Sequence, residues 1–160
     1  VTVEPADPAT ADAVADLWVA LAREQRPHGS HLRPDANRDV VRESLARHAA
    51  EDGLTVARED DGLVGFVRFD VERGPLTTDR TRGIVRDLYV VPARRDDGVG
   101  ARLLDAAETA LRDRGADVVA LEALATNADA IRFYERRGYR SHRIEFEREV
   151  ENDKRPRGDR

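Results

Sequence analysis

The chain has 160 residues, no cysteine, 27 Lys and Arg against 32 Asp and Glu, and a formal net charge of −5. Its length suits one domain with its own core, and the missing cysteines exclude disulfides, thiolate metal sites and a cysteine nucleophile. Arginines alternate with acids, as in ARED and RRDD, which predicts a solvated surface and no nucleic-acid partner.

The sequence also predicts the protein's location and extent. Nothing approaches the run of about 18 apolar residues that a transmembrane helix needs, and the first residues, VTVEPADPATADA, lack the basic and apolar regions of a signal peptide. We therefore expect a cytoplasmic protein with no membrane partner. One domain is predicted over residues 1–150, followed by a disordered tail over 151–160.

The N-terminal part predicts a short strand and then an amphipathic helix. VTV at 1–3 is typical of a strand, and Asp7-Pro8 is typical of a helix start. The apolar residues that follow recur at the spacing of one helix face, which predicts that they lie in the core: Val14, Leu17, Trp18 and Leu21.

A second helix and a hairpin follow a loop. The loop covers 26–34, and the helix runs from about 35 to 50, with Gly53 just beyond its end. The apolar pattern then changes to strand period, and LTVAR (54–58) and LVGFVRFDV (63–71) predict an antiparallel hairpin.

The C-terminal half alternates strands and helices. The predicted strands cover 84–91, 117–125 and 143–150, and the predicted helices cover 98–114 and 127–137. Because 84–125 forms a strand–helix–strand unit, its two strands should be parallel and joined by a right-handed crossover. The fold class is therefore α/β, with a mixed sheet covered by helices.

The stretch VVPARRDDGVGARLL (90–104) predicts an anion site. Backbone N–H groups at a helix start have no helical partner, and the helix dipole attracts negative charge. Gly98 and Gly100 leave room for a phosphate, Arg94 and Arg95 add charge, and Pro92 ends the strand ladder. The alternative is an ordinary strand–turn–helix connection whose glycines allow tight packing.

Two stretches together resemble the GCN5-related N-acetyltransferase family. LYVVPARRDDGVGARLL matches the family's Arg/Gln-x-x-Gly-x-Gly/Ala loop from Arg95 to Gly100, and LEALATNADAIRFYERRGY matches its Asn-x-x-Ala-x-x-x-Tyr-x-x-x-Gly-Phe/Tyr signature. The residues matching the second signature are Asn127, Ala130, Tyr134, Gly138 and Tyr139. The resemblance covers Leu54 to about Tyr139 well and the N-terminal helices loosely.

The resemblance implies a fold and a cofactor. The fold is a mostly antiparallel sheet with one parallel strand pair, splayed at the cofactor site and flanked by about four helices. The cofactor is acetyl-CoA as acetyl donor, with no metal. Its pantetheine arm would pair with Leu88, Tyr89 and Val90, and Asn127 would bond the arm or nearby backbone. Its pyrophosphate would lie on the loop formed by Arg95, Asp96, Asp97, Gly98, Val99, Gly100 and Ala101.

This loop departs from the family at one point. The family has glycine and a basic residue where this chain has Asp96 and Asp97. Two carboxylates should repel a pyrophosphate, and salt should weaken that repulsion. The backbone N–H donors would still bind it.

The resemblance also implies the reaction, which is transfer of the acetyl group to a primary amine of a small molecule or a protein N-terminus. Without cysteine, we expect direct attack in a ternary complex. Tyr134 is the candidate general acid that protonates the leaving thiolate; alternatively it packs with Phe133 against the sheet.

Glu122 is the candidate general base. It stands alone in the apolar stretch VVALEALA, so we expect it on a strand, where burial would make it a better base at neutral pH. It also resembles the glutamate five residues before the asparagine in the family's ribosomal-protein alanine acetyltransferases. The alternative is a salt bridge to Arg68 or Arg86, and Asp87 is the second candidate base.

The sequence leaves the role of the loop over 26–34, catalytic activity and the oligomeric state undecided. By the resemblance, Arg26, His28 and His31 line the acceptor side; the alternative is a solvated loop, and His-x-x-His lacks a third metal ligand at helical spacing. The whole chain is alternatively a non-catalytic acyl-CoA-binding module. A homodimer is left open.

Overall fold

The computed structural model describes residues 1–151 and contains the predicted helices. The four α-helices are α1 (Ala11–Gln25), α2 (Arg38–Ala50), α3 (Val99–Asp113) and α4 (Ala128–Arg136). Short 3-10 turns cover Pro8–Thr10, Arg26–His28, Asp35–Asn37 and Pro92–Arg94. The turns at Pro8 and Asp35 lie where the sequence predicted helix starts, and the turn at Arg26 lies in the predicted loop over 26–34. Over this described part of the chain, no helix is both long and apolar enough to cross a membrane.

Five strands form one mixed sheet in the order of the chain. They are β1 (Thr2–Pro5), β2 (Leu54–Glu59), β3 (Gly62–Val71), β4 (Arg82–Val90) and β5 (Val118–Ala120). Neighbouring strands are antiparallel from β1 to β4, and β4 and β5 are parallel. This confirms the predicted mixed sheet, the hairpin and the parallel crossover.

The sheet buries side chains on both faces. On one face, Phe66 and Tyr89 join the core formed with α1 and α2, which includes Trp18 as the sequence predicted. Alternate strand residues point the other way, so Val67 and Phe69 are buried on the opposite face. There α3 packs so closely that a Cβ on Gly83 would lie 2.8 Å from the Leu111 side chain, which explains the glycine.

One predicted strand is shorter than expected, and another is absent from the described residues. The strand expected over 117–125 is only three residues long, since its pairing with β4 ends at Ile84 and Ala120. The stretch 143–150 is not a strand, and its apolar residues Ile144 and Phe146 are 71% and 88% exposed. Alternation predicts a strand only where a neighbouring strand supplies hydrogen bonds, and among the described residues neither stretch has such a neighbour along its full length.

The chain divides into two compact units, Val1–Asn127 and Ala128–Arg160. The first contains the sheet and α1 to α3. The second contains α4, which ends before Gly138, a residue in the left-handed conformation with φ of +91°. The predicted single domain over 1–150 stays a prediction, and the predicted disorder of 151–160 falls almost wholly outside the described residues.

Candidate active site

The edge of β4 that faces β5 is open over most of its length. Pairing with β5 covers only the first three residues of β4, from Arg82 to Ile84, whereas β3 pairs with β4 as far as Val90. The Val91 N–H donates to the Val64 carbonyl on the β3 side, at 2.8 Å. Because strand residues alternate, the N–H and C=O of Val90 point to the open edge. An extended ligand could add itself there as a strand.

The open edge leads directly into the start of α3. Pro92 begins a 3-10 turn, and Gly98 precedes the helix with φ of +82°, a conformation that favours glycine. The first helical hydrogen bond runs from the Arg102 N–H to the Gly98 carbonyl, at 3.1 Å. The N–H groups from Val99 to Ala101 precede that bond, and no side chain caps the helix. This is the geometry of an anion site.

Both arginines of this loop bind glutamates. Arg94 holds both carboxylate oxygens of Glu59 at 2.5 Å, and the pairing lowers the pKa of that carboxyl. Arg95 holds both oxygens of Glu24 on α1, at 2.7 and 2.8 Å. Its Nε also donates to the Val90 carbonyl, at 2.9 Å. Arg95 therefore lies on the open edge itself, and Glu24 is a site residue that the sequence analysis missed.

The two aspartates of the loop, Asp96 and Asp97, are both exposed to solvent. Asp96 has a left-handed φ of +66°, which Asp adopts more readily than most residues. Asp97 is close enough to raise the pKa of Arg94 through its charge, although Glu59 contributes more. The loop therefore carries negative charge beside its N–H donors.

Asp87 lies within the open part of β4 and is largely buried. Arg68 on β3 donates to the Oδ2 atom of Asp87 from Nε at 2.7 Å and Nη2 at 2.6 Å. Burial raises the pKa of Asp87, and Arg68 opposes that rise. Arg68 also donates to the Ser44 hydroxyl on α2, at 2.9 Å. This carboxylate is held by a structural partner, so it has less freedom to collect a substrate proton.

Glu122 lies outside β5, and its side chain is exposed. The expected strand position and burial of Glu122 were wrong, because β5 ends at Ala120. The alternative salt bridges are not formed either, since Arg68 pairs with Asp87 and Arg86 pairs with Asp70. The hydrogen bond to Asp70 contributes most to raising the pKa of Arg86, and the charge of Glu122 contributes least.

The residues of the second sequence signature lie around α4. Asn127 directly precedes the helix, and its N–H donates to the Leu124 carbonyl at 2.9 Å. The Tyr134 ring contacts Phe133 and Tyr139 edge-on, with centroids 5.5 and 6.0 Å apart. Phe133 and Tyr139 both belong to the same compact unit as Tyr134.

The loop between α1 and α2 is attached to the segment after β5. The His28 Nδ1 atom and the Thr126 hydroxyl are 2.8 Å apart. Arg26 donates to the Ser30 carbonyl within the loop, at 2.9 Å. Within residues 1–151, no three His, Asp or Glu side chains are grouped to hold a metal ion.

Comparison with known proteins identifies the family. The model of the acetyltransferase (GNAT) family matches residues 15–139. The chain belongs to this family. The match covers both sequence signatures, so the predicted family is confirmed. The mixed five-stranded sheet with four helices confirms the predicted fold class.

Individual relatives agree with this assignment. An uncharacterised N-acetyltransferase of Archaeoglobus fulgidus is 34% identical over 52% of this chain and 57% of its own length. A mycothiol acetyltransferase of Clavibacter michiganensis is 36% identical over 83% of this chain and 42% of its own. The chain spans about half the length of the curated relatives it matches. A GCN5-related N-acetyltransferase structure from Ralstonia eutropha has a TM-score of 0.73 at 24% identity, covering 93% of this chain and 97% of its own.

Proposed function

We propose that this chain is an acetyl-CoA-dependent N-acetyltransferase that moves the acetyl group directly to a primary amine. The observation that carries the proposal is the open β4 edge leading into the uncapped start of α3. An amide-bearing arm fits the first, and a pyrophosphate fits the second. Membership of the GNAT family, which uses acetyl-CoA, supports the same ligand.

In this proposal the cofactor follows the chain from β4 to α3. The pantetheine arm pairs with Leu88, Tyr89 and Val90, and the pyrophosphate accepts hydrogen bonds from the loop that runs from Arg95 to Ala101. Asn127 bonds the arm or the backbone beside it. This order of contacts follows the order of the motif and places the thioester at the opening between β4 and β5.

The chemistry needs a neutral amine and a protonated leaving group. The amine nitrogen attacks the thioester carbonyl carbon, the tetrahedral intermediate collapses, and the carbon–sulfur bond breaks. Tyr134 supplies a proton to the departing thiolate, as the family signature implies. Because this chain has no cysteine, the acetyl group is not held on one of its own thiols.

Glu122 is the proposed general base, and Asp87 is the second candidate. An exposed carboxylate can accept the amine proton directly or through a water and release it to solvent. Asp87 is instead bound twice by Arg68, at 2.6 and 2.7 Å. Losing that ion pair on each turnover would leave a buried guanidinium without its partner.

A thermal-shift titration and a thiol-release assay test the proposal. Acetyl-CoA should raise Tm, because a ligand that binds only the folded state stabilises it. Gly100→Glu should abolish the shift by placing a side chain and a negative charge where the phosphate binds. Amine-dependent release of free CoA from a panel of amines would establish turnover.

The two readouts separate the alternatives. Cofactor binding without amine-dependent CoA release across the panel would favour the non-catalytic acyl-CoA-binding module. A full thermal shift in Gly100→Glu would overturn the site assignment.

A further inference from the structure

Arg95 occupies the same strand edge that the proposed cofactor needs. Its Nε atom donates to the Val90 carbonyl at 2.9 Å, on the side of β4 that faces β5, where no strand among the described residues pairs with Val90. Its guanidinium carbon lies 5.5 Å from the centre of the Tyr89 ring, in cation–π range. The arginine side chain therefore occupies the Val90 carbonyl, one of the edge groups that an added strand would bond.

Glu24 holds Arg95 in that position. Both carboxylate oxygens accept from Nη2, at 2.7 and 2.8 Å, and the two side chains are 41% and 43% exposed. An exposed ion pair of this kind is weak, because water competes for both partners. It can be exchanged for a stronger anion without disturbing the fold.

A pyrophosphate is such an anion. It carries more charge than a carboxylate and binds a guanidinium through two parallel hydrogen bonds. If it lies at the start of α3, four residues beyond Arg95, it can draw the guanidinium away from Glu24. The Val90 carbonyl then becomes free for an amide N–H of the pantetheine arm.

We propose that Glu24 and Arg95 form a latch that selects thioesters carrying a pyrophosphate. The inference rests on the proposed acetyl-CoA site and adds a specificity role that the family signature does not give to Glu24. A thioester with the pantetheine arm alone meets a closed edge and has no group to open it. A thioester with the pyrophosphate opens the edge as it binds.

The latch predicts opposite effects of one substitution on two ligands. Arg95→Ala should weaken acetyl-CoA binding roughly tenfold, because a charge-assisted hydrogen bond to the pyrophosphate is lost. The same variant should bind S-acetyl-pantetheine more tightly than wild type, since the strand edge is then open. Isothermal titration calorimetry with each ligand measures both Kd values.

Glu24→Gln tests the other half of the latch. It should tighten acetyl-CoA binding about two- to fivefold at low salt, which is the range that an exposed ion pair supports. The gain should fade as KCl rises, because the Debye length drops from about 10 Å at 0.1 M to about 3 Å at 1 M. Glu4→Gln is the matched control: it removes one carboxylate from an exposed pair with Arg58 on β1 and β2 and should leave both Kd values unchanged.

The outcomes distinguish the latch from the site. The latch would be overturned if Arg95→Ala changed the Kd values of both ligands in the same direction, or if Glu24→Gln had no more effect than Glu4→Gln. Binding of acetyl-CoA by the wild-type protein would still support the proposed function in either case. Wild-type protein that binds neither ligand would overturn both proposals. Opposite shifts in Arg95→Ala with salt-sensitive tightening in Glu24→Gln would establish the latch.

Discussion

Arg68 and Asp87 form an ion pair inside the sheet, with two donors of one guanidinium converging on a single carboxylate oxygen. The distances are 2.7 and 2.6 Å, and the side chains are only 14% and 13% exposed. Such a pair is costly to break, because removing one partner leaves the other charge buried. The pair links β3 to the open part of β4, and the Ser44 hydroxyl extends it to α2.

Asp87→Asn should therefore destabilise the fold strongly. Loss of the carboxylate charge leaves Arg68 without its counter-ion, and we expect a loss of about 3 kcal/mol in the free energy of unfolding. Urea unfolding at neutral pH measures it. Asp35→Asn is the control, because its pair with Arg23 is exposed and should contribute under about 1 kcal/mol. Equal stabilities for the two variants would contradict a structural role for the pair.

The free energy of unfolding should depend on pH through the Asp70 carboxyl. Burial raises its pKa, but hydrogen bonds from Arg86 and His48 outweigh burial and hold the pKa below its ordinary value. A lowered folded-state pKa contributes stability above the unfolded pKa, about 3.9, and that contribution is lost as pH falls through the folded value. Asp70→Asn should cost about 1–2 kcal/mol at neutral pH.

The pH titration of stability checks the sign. The difference between wild type and Asp70→Asn should shrink as pH falls below about 4. A gap for Asp70→Asn that stays constant down to pH 2 would show that the variant acts through packing.

The order of elements was predictable because hydrophobic period is a local property. Trp18 and Leu21 recur at helical spacing, and the strand hairpin alternates, so their positions follow from short stretches of sequence. The turn before α3 was also predictable from local sequence, because its left-handed backbone favours glycine and Gly98 occupies that position. These features depend on neighbours in sequence.

The predictions that were wrong concern residues whose structure depends on partners far away in the sequence. The stretch after Ala120 has the composition of a strand, but pairing with β4 stops there, and so Glu122 is exposed. Nothing in the sequence around Glu24 predicted its contact with Arg95, because acidic residues are common on helix surfaces and Arg95 lies far along the chain. A local sequence pattern does not show which distant residue a side chain will contact.

Asp96 and Asp97 should weaken cofactor binding through their charge. Both are exposed beside the uncapped N–H groups of α3. Replacing them by Gly and Lys should lower the acetyl-CoA Kd at low salt, and the gain should shrink at about 1 M KCl, where the Debye length is about 3 Å. Equal Kd values for variant and wild type at low salt would show that the carboxylates do not affect the ligand.

Tyr134→Phe separates proton donation from packing. Phenylalanine keeps the ring contacts with Phe133 and Tyr139 and removes only the hydroxyl. If the phenol protonates the leaving thiolate, kcat should fall while the acetyl-CoA Kd stays near wild type, because that interaction belongs to the transition state. Stopped assays of CoA release and a binding titration measure the two quantities; unchanged kcat would remove Tyr134 from the chemistry.

Glu122→Gln tests the general base through its pH profile. Glutamine keeps the size of the side chain but cannot accept the amine proton, so kcat/KM should fall at neutral pH by about 10²- to 10⁴-fold. The loss should be much smaller at high pH, where the amine is already neutral. The acidic limb of the profile should vanish or move up to the pKa of the amine. Because Glu122 is exposed, its replacement should leave Tm unchanged, unlike Asp87→Asn. A wild-type rate and pH profile in Glu122→Gln would instead assign the role of general base to Asp87 or to a water. Burial raises the pKa of Asp87, so an acidic limb set by Asp87 should lie above the ordinary range for an aspartate.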